Sequence, residues 1–195
     1  MATTPLELRP HQKEAVGAAV RVLAQHPRTS VIAACGTGKT LIAARTTART
    51  APRGRVLVLL PTLDLLSQTI RSWRLAGRKG TAIAVCSARQ ALDHEPVGAD
   101  VPMTTDPGEL TAHIRTTGPG PVTVYATYAS LTAVITAHRC RGLFDLVSVG
   151  CVELGWSVGW LGLVVCCVLA RGLVLFAGWG WVGCVSCGFP VSGWS

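Results

Sequence analysis

Ser30-Val31-Ile32-Ala33-Ala34-Cys35-Gly36-Thr37-Gly38-Lys39-Thr40 is the stretch from which the fold of this chain follows. A short apolar run enters two glycines and a Lys-Thr pair, and helix-forming residues continue to about Thr50. Phosphate oxygens need backbone N–H groups around them and the positive end of a helix dipole. Gly36 and Gly38 let the main chain wrap that closely, because a side chain there would meet phosphate or require an unfavourable dihedral. Lys39 is then placed to reach the outer phosphates, and the Thr40 hydroxyl to ligate Mg²⁺. The strict pattern has glycine where this chain has Ala33, but the strand before and the helix after are both present. A glycine-rich turn that ended in Lys-Thr by chance would need neither flank. Cys35 reads as a small loop residue rather than as a reactive thiol.

On the N-terminal side, Ala15, Val16, Ala19, Val20 and Leu23 recur at helical spacing over residues 11–25. On the C-terminal side, Pro52-Arg53-Gly54 breaks the helix, and Arg55-Val56-Leu57-Val58-Leu59-Leu60 reads as a buried strand. Thr62 is placed to cap a further helix that runs to about Ala76. A turn over 77–80 leads to a strand over 81–86. The pattern loosens from 87 to 121, except that Asp106-Pro107-Gly108-Glu109 has the form of a capped helix start. A strand over 122–126, a helix over 127–139 and the beginning of a strand at Phe144-Asp145-Leu146-Val147 follow. Strands and helices alternating at these lengths predict an α/β fold, a parallel sheet with helices on both faces.

The formal net charge of +8 suits a polyanionic partner, and it is unevenly placed. Residues 147–195 hold one Arg (Arg171) and one Glu (Glu153), so the whole excess lies before them. In that tail, 39 of 49 residues are Val, Gly, Leu, Trp, Cys or Phe, so it is read separately as residues 148–195, with 1–147 as the domain. The start of the chain lacks the charged and apolar run of a secretory signal. Cys35, Cys86 and Cys140 have no metal-ligand spacing, which fits reduced thiols and a cytoplasmic protein.

Four segments in order carry a family resemblance: Leu8-Arg9-Pro10-His11-Gln12, the glycine loop, Pro61-Thr62-Leu63-Asp64-Leu65-Leu66-Ser67-Gln68, and Val124-Tyr125-Ala126-Thr127-Tyr128-Ala129-Ser130-Leu131. Together they resemble the N-terminal RecA-like domain of superfamily 2 DEAD/DEAH-type helicases, closest in look to those related to type III restriction subunits. The resemblance implies ATP and Mg²⁺ as cofactors. It implies that Arg9 and Gln12 serve the adenine, and that Cys35, Gly36, Thr37, Gly38, Lys39 and Thr40 form the phosphate and metal site, with Lys39 the catalytic contact. It implies that Pro61, Thr62, Gln68, Thr127 and Tyr128 face a tracked nucleic-acid strand, with DNA favoured over RNA. Nine Arg or Lys residues between Arg45 and Arg89, against the single acid Asp64, agree with phosphate neutralisation. Trp73 is placed either to stack on a base or, on a helix, to fill the core.

The same resemblance sets an expectation that this chain fails. The family's next strand ends in Asp-Glu-Ala-His or a variant, and the corresponding positions here are Gly150 and Cys151. Asp145 comes too early, and the second RecA-like domain with its arginine finger has no counterpart. Hydrolysis is therefore expected to be weak or lost, leaving an ATP-binding helicase domain. The residues that dominate the tail share codons beginning with G or T, so the first reading of 148–195 is a truncated or out-of-frame end. The second reading is a membrane anchor in residues 154–170 or 172–195, giving a membrane-associated nucleotide-binding protein; glycines and Arg171 oppose it. An active phosphate-loop ATPase that is not a helicase is the third. Cys166, Cys167, Cys184 and Cys187 lack the further ligands that zinc needs. Nothing in the pattern specifies an oligomer.

Overall fold

The structure, a computed structural model, describes residues 6–34, 36–87, 100–141 and 143–150, and the strand at 165–171. Helix α1 (Pro10–Gln25) precedes β1 (Arg28–Ala33), α2 (Lys39–Thr50), β2 (Arg55–Leu60), α3 (Leu63–Leu75) and β3 (Thr81–Val85). The short β4 (Met103–Thr104), α4 (Pro107–Thr116), β5 (Val122–Thr127), α5 (Leu131–Arg141), β6 (Leu146–Gly150) and β7 (Val165–Arg171) complete it. One sheet holds all the strands in the order β1-β7-β6-β2-β5-β3-β4.

Five neighbours in that sheet, β6-β2-β5-β3-β4, are parallel, as the alternating pattern predicts. Strand β7 is antiparallel to both of its neighbours, so β1 points the same way as the five. The pleat sorts side chains to two faces. Val56, Val58 and Leu60 join Leu66, Ile70 and Trp73 of α3 and Ala43 and Ala44 of α2 in one core. Leu57 and Leu59 join Leu110 and Ile114 of α4 and Val134 and Ala137 of α5 in the other. Apolar runs that bury both faces are what a sheet covered on two sides requires.

Local signals account for most helix starts. Thr62 caps α3, its Oγ1 accepting from the Leu65 N–H at 3.4 Å. Asp106 caps α4, its Oδ1 accepting from the Glu109 N–H at 2.8 Å, with Pro107 at the first helical position. The helix expected from Thr127 begins later. Register pairing of Leu60 with Thr127 keeps β5 in the sheet through Thr127, and a single 3₁₀ turn, Tyr128–Ser130, separates it from α5. The sheet also extends beyond residue 147, through Gly150 in β6 and into β7. Among the described residues no helix is long and apolar enough to cross a membrane; most of 148–195, including Glu153, Cys184 and Cys187, lies outside them.

Candidate phosphate-loop site

The parallel strands bring their C-terminal ends to one edge, and the glycine loop leaves β1 at that edge. Gly36 (φ 78°) and Gly38 (φ 82°) both take the left-handed conformation, which L side chains rarely adopt. Gly38 is the N-cap of α2, and the first turn of that helix contains no acidic residue, so its positive end is not neutralised locally. Cys35 lies outside the described residues.

The loop is braced from two sides. Thr37 Oγ1 donates to the Ala34 carbonyl at 2.7 Å. Lys39 Nζ turns back along the loop and donates to the carbonyls of Ala33 (3.2 Å) and Ala34 (2.7 Å). From α1, the Gln12 amide donates to the Thr37 carbonyl at 2.8 Å, and its Oε1 accepts from the Arg9 N–H at 3.0 Å. His11 Nε2 stands 3.3 Å from the same Thr37 carbonyl. Gln12 is only 5% exposed. Its amide uses two of its four hydrogen-bonding positions on the protein, leaving one N–H and one lone pair. Thr40 is exposed in the first turn of α2.

Pro61 and Thr62 follow β2, and Tyr128 follows β5. The pairing of Leu60 with Thr127 sets these two junctions side by side at the same edge as the loop. Thr127 is buried, with Oγ1 at 3.1 Å from Ser130 Oγ. The Tyr128 hydroxyl donates to the Gly150 carbonyl at the end of β6. Gln68 is exposed on α3. Trp73 is core: it is 1% exposed and meets Tyr125 edge-to-face at 5.9 Å. Burial raises the Tyr125 phenol above its ordinary value, the nearby guanidinium of Arg78 opposing that rise.

Strand β6 carries no acid from Leu146 to Gly150. Asp145 precedes it at the opposite edge of the sheet, where its Oδ2 accepts from the Arg55 N–H at 2.8 Å. An open depression of about 730 Å³ beside Asp145 and residues 50–54 lies at that far edge too, away from the loop. Among the described residues no cluster of His, Cys, Asp or Glu could hold a metal ion by itself.

Four of the basic residues between Arg45 and Arg89 are engaged within the protein. Arg78 is 7% exposed, and its guanidinium donates to Thr123 Oγ1 (3.2 Å), Ala51 O (2.7 Å) and Gly54 O (2.9 Å). Burial lowers its pKa from the usual arginine value. Arg74 pairs bidentately with Asp100, and Arg55 lies at the far edge beside Asp145. Arg45 donates to the Leu6 carbonyl at 2.8 Å. Sequence spacing showed the excess of cations, and the turn at 77–80 that sends Arg78 inward gave no such signal.

Comparison with known proteins agrees with this arrangement. Residues 5–97 match the family model of the type III restriction enzyme res subunit. No curated protein matches the chain. One similar solved structure is a nuclease-deletion mutant of the Type ISP restriction-modification enzyme LlaGI in complex with a DNA substrate mimic (TM-score 0.62, 26% identity, 70% of this chain). Another is the ATP-dependent Type ISP restriction-modification enzyme LlaBIII bound to DNA (TM-score 0.60, 25% identity, 71% of this chain). This chain spans 14% of the first and 10% of the second. Residues 5–97 are thus similar to the res subunit of type III restriction enzymes, and the α/β unit that contains them has the fold of a RecA-like, helicase-type domain.

Proposed function

We propose that this chain is an ATP-binding helicase domain that engages DNA and hydrolyses ATP poorly or not at all as it stands. The carrying observation is the loop itself, with two left-handed glycines after β1, an α2 N-terminus that no side chain caps, and Lys39 folded along the loop. These residues fit a nucleoside triphosphate. Backbone N–H groups of residues 36–40 would surround the phosphates, and the Lys39 ammonium would leave the Ala33 and Ala34 carbonyls for the outer ones. The hydroxyl of the exposed Thr40 would hold Mg²⁺, which would supply charge neutralisation for the phosphates. Gln12 keeps one donor and one acceptor position, the pair that an adenine edge needs, while Arg9 fixes its amide through the backbone N–H.

The proposed loss of hydrolysis rests on the loop edge of β6. A carboxylate there would hold metal-bound water and orient the attacking one, and the strand ends in Gly150. DNA contact is supported by the DNA-bound neighbours and by the adjacent junctions Pro61–Thr62 and Thr127–Tyr128, with Gln68 on the following helix. The direct nucleotide and nucleic-acid contacts are proposed to lie within 1–147, while the sheet that carries them runs on into 148–195 through β6 and β7.

Binding of a fluorescent ATP analogue with Mg²⁺, measured together with ATP turnover with and without DNA, tests this reading. Binding that disappears in Lys39→Ala, without turnover in either protein, is the expected result. Retained binding in Lys39→Ala would refute the loop assignment. DNA-stimulated turnover would show that a carboxylate outside β6 is catalytic.

A further inference from the structure

In the described sheet β1 has a single strand neighbour, β7, which separates it from β6 and the five parallel strands. All six residues of β1 are paired through β7, from Arg28 opposite Ala170 to Ala33 opposite Val165. None of the six is fully buried, and Ile32 is 59% exposed. Only Val31 of the strand packs against the core, and α1 packs along β1 without backbone pairing, so β7 is its one backbone partner among the described residues. On its other side β7 is paired with β6 from Leu146 to Gly150. The strand that delivers the phosphate loop is thus joined to the sheet through a segment of the apolar tail.

We infer that β7 is a positioning element of the nucleotide site. Residues 165–171 fix β1 against β6 by main-chain hydrogen bonds, and nucleotide affinity depends on them although they do not belong to the loop. The inference rests on the phosphate-loop reading for its functional half only. Antiparallel insertion is sterically as acceptable as parallel, because β1 and β6 each offer a backbone edge that does not depend on the inserted side chains. That is why a Val-, Cys- and Leu-rich segment with little other sequence character can serve.

The full-length chain tests this in two ways. Val31 lies opposite Cys167 and Ile32 opposite Cys166. Successive antiparallel pairs alternate between close and wide spacing, so one of the two brings its Cβ atoms near enough for a disulfide. Mild oxidation of Val31→Cys and of Ile32→Cys, each followed by peptide mapping, reads out that geometry. In one of the two variants the introduced thiol is expected to bridge to the residue opposite it, Cys167 for Val31→Cys or Cys166 for Ile32→Cys. Bridges to other cysteines only, or none, would overturn the strand's placement.

The second test is Val168→Pro, which removes a ladder donor in the middle of β7. Affinity for the fluorescent Mg-ATP analogue is expected to fall at least tenfold. Hydrogen exchange is expected to speed up in residues 28–33, while β2, β3 and β5 stay protected. Wild-type affinity, or loss of protection across all strands together, would refute a local positioning role. Should the wild-type chain bind no nucleotide, the phosphate-loop reading fails instead, and bridging and exchange still decide whether β7 tethers β1.

Discussion

Gly38 and Gly36 share nearly the same backbone conformation, yet they should tolerate alanine very differently. At Gly36 a Cβ would meet nothing within 4 Å, so Gly36→Ala bears only the left-handed penalty, about 1 kcal/mol. At Gly38 the Cβ would stand 2.4 Å from Gln12 Nε2 and 3.5 Å from its Cδ, so the amide must move. Moving it breaks the bonds to the Thr37 carbonyl and the Arg9 N–H, worth about 1 kcal/mol each. Gly38→Ala should therefore destabilise by about 3 kcal/mol, roughly 2 kcal/mol more than Gly36→Ala.

A double-mutant cycle isolates the second contribution. In a Gln12→Ala background the amide is gone, so Gly38→Ala should cost only the backbone penalty, giving a coupling of about 2 kcal/mol between the positions. Urea unfolding followed by far-ultraviolet circular dichroism on the four proteins supplies the numbers. Equal destabilisation by the two glycine variants, or additivity of Gly38→Ala with Gln12→Ala, would refute the claim that Gln12 braces the loop through Gly38.

Arg78→Met should cost about 3 kcal/mol in the same urea assay, because the Ala51 and Gly54 carbonyls lose their charged donor. Arg78→Lys should recover little, since one ammonium cannot reach three separated acceptors. His138 is held below the ordinary histidine pKa by burial, and its Nδ1 accepts from the Leu143 N–H at 3.1 Å, so the neutral ring is the folded form. Protonation then favours the unfolded chain: stability should fall as pH drops through the unfolded value of about 6.5 toward the lowered folded one, and His138→Gln should flatten that slope in melts at pH 5 and pH 8. DNA binding should depend on salt less steeply than the count of cations suggests. Nine phosphate-neutralising cations would give a log–log slope of about −8 on duplex DNA, whereas the five left after Arg45, Arg55, Arg74 and Arg78 predict a slope no steeper than about −5, measurable by fluorescence anisotropy from 50 to 200 mM salt.

The strand-loop-helix unit around Gly36 and Gly38 was legible because its chemistry is local: the dihedrals, the helix start and Lys39 all lie within a few residues. Capping at Thr62 and Asp106 was legible for the same reason. Strand β4 was not, since two residues carry no period. Nor was β7. Val165-Cys166-Cys167-Val168-Leu169-Ala170-Arg171 sits in a uniformly apolar background, where neither alternation nor flanking breakers mark a strand. Gln12 was read for adenine, and its second task on the Thr37 carbonyl depends on how α1 packs on the loop, which no spacing encodes.

Charge shows most clearly why composition and site differ. The excess of arginine over acid suggested one phosphate-neutralising surface, yet the fold spends several of those cations on itself. Arg78 ties the 51–54 turn to β5, Arg74 holds Asp100, and Arg55 stands beside Asp145 at the edge away from the loop. At the loop edge the groups are of another kind: the N-terminus of α2, the exposed Thr40, Thr62 at the cap of α3, and Lys39 folded along the loop. Oriented N–H groups and hydroxyls fix where a phosphate sits, while distributed cations mainly raise affinity for any polyanion. A site built from the first kind recognises phosphate by position, which is what a nucleotide pocket beside a tracked strand requires. Part of the net charge of +8 is then a property of the scaffold, and the proposed nucleotide contacts rest instead on the few residues at the ends of β1, β2 and β5.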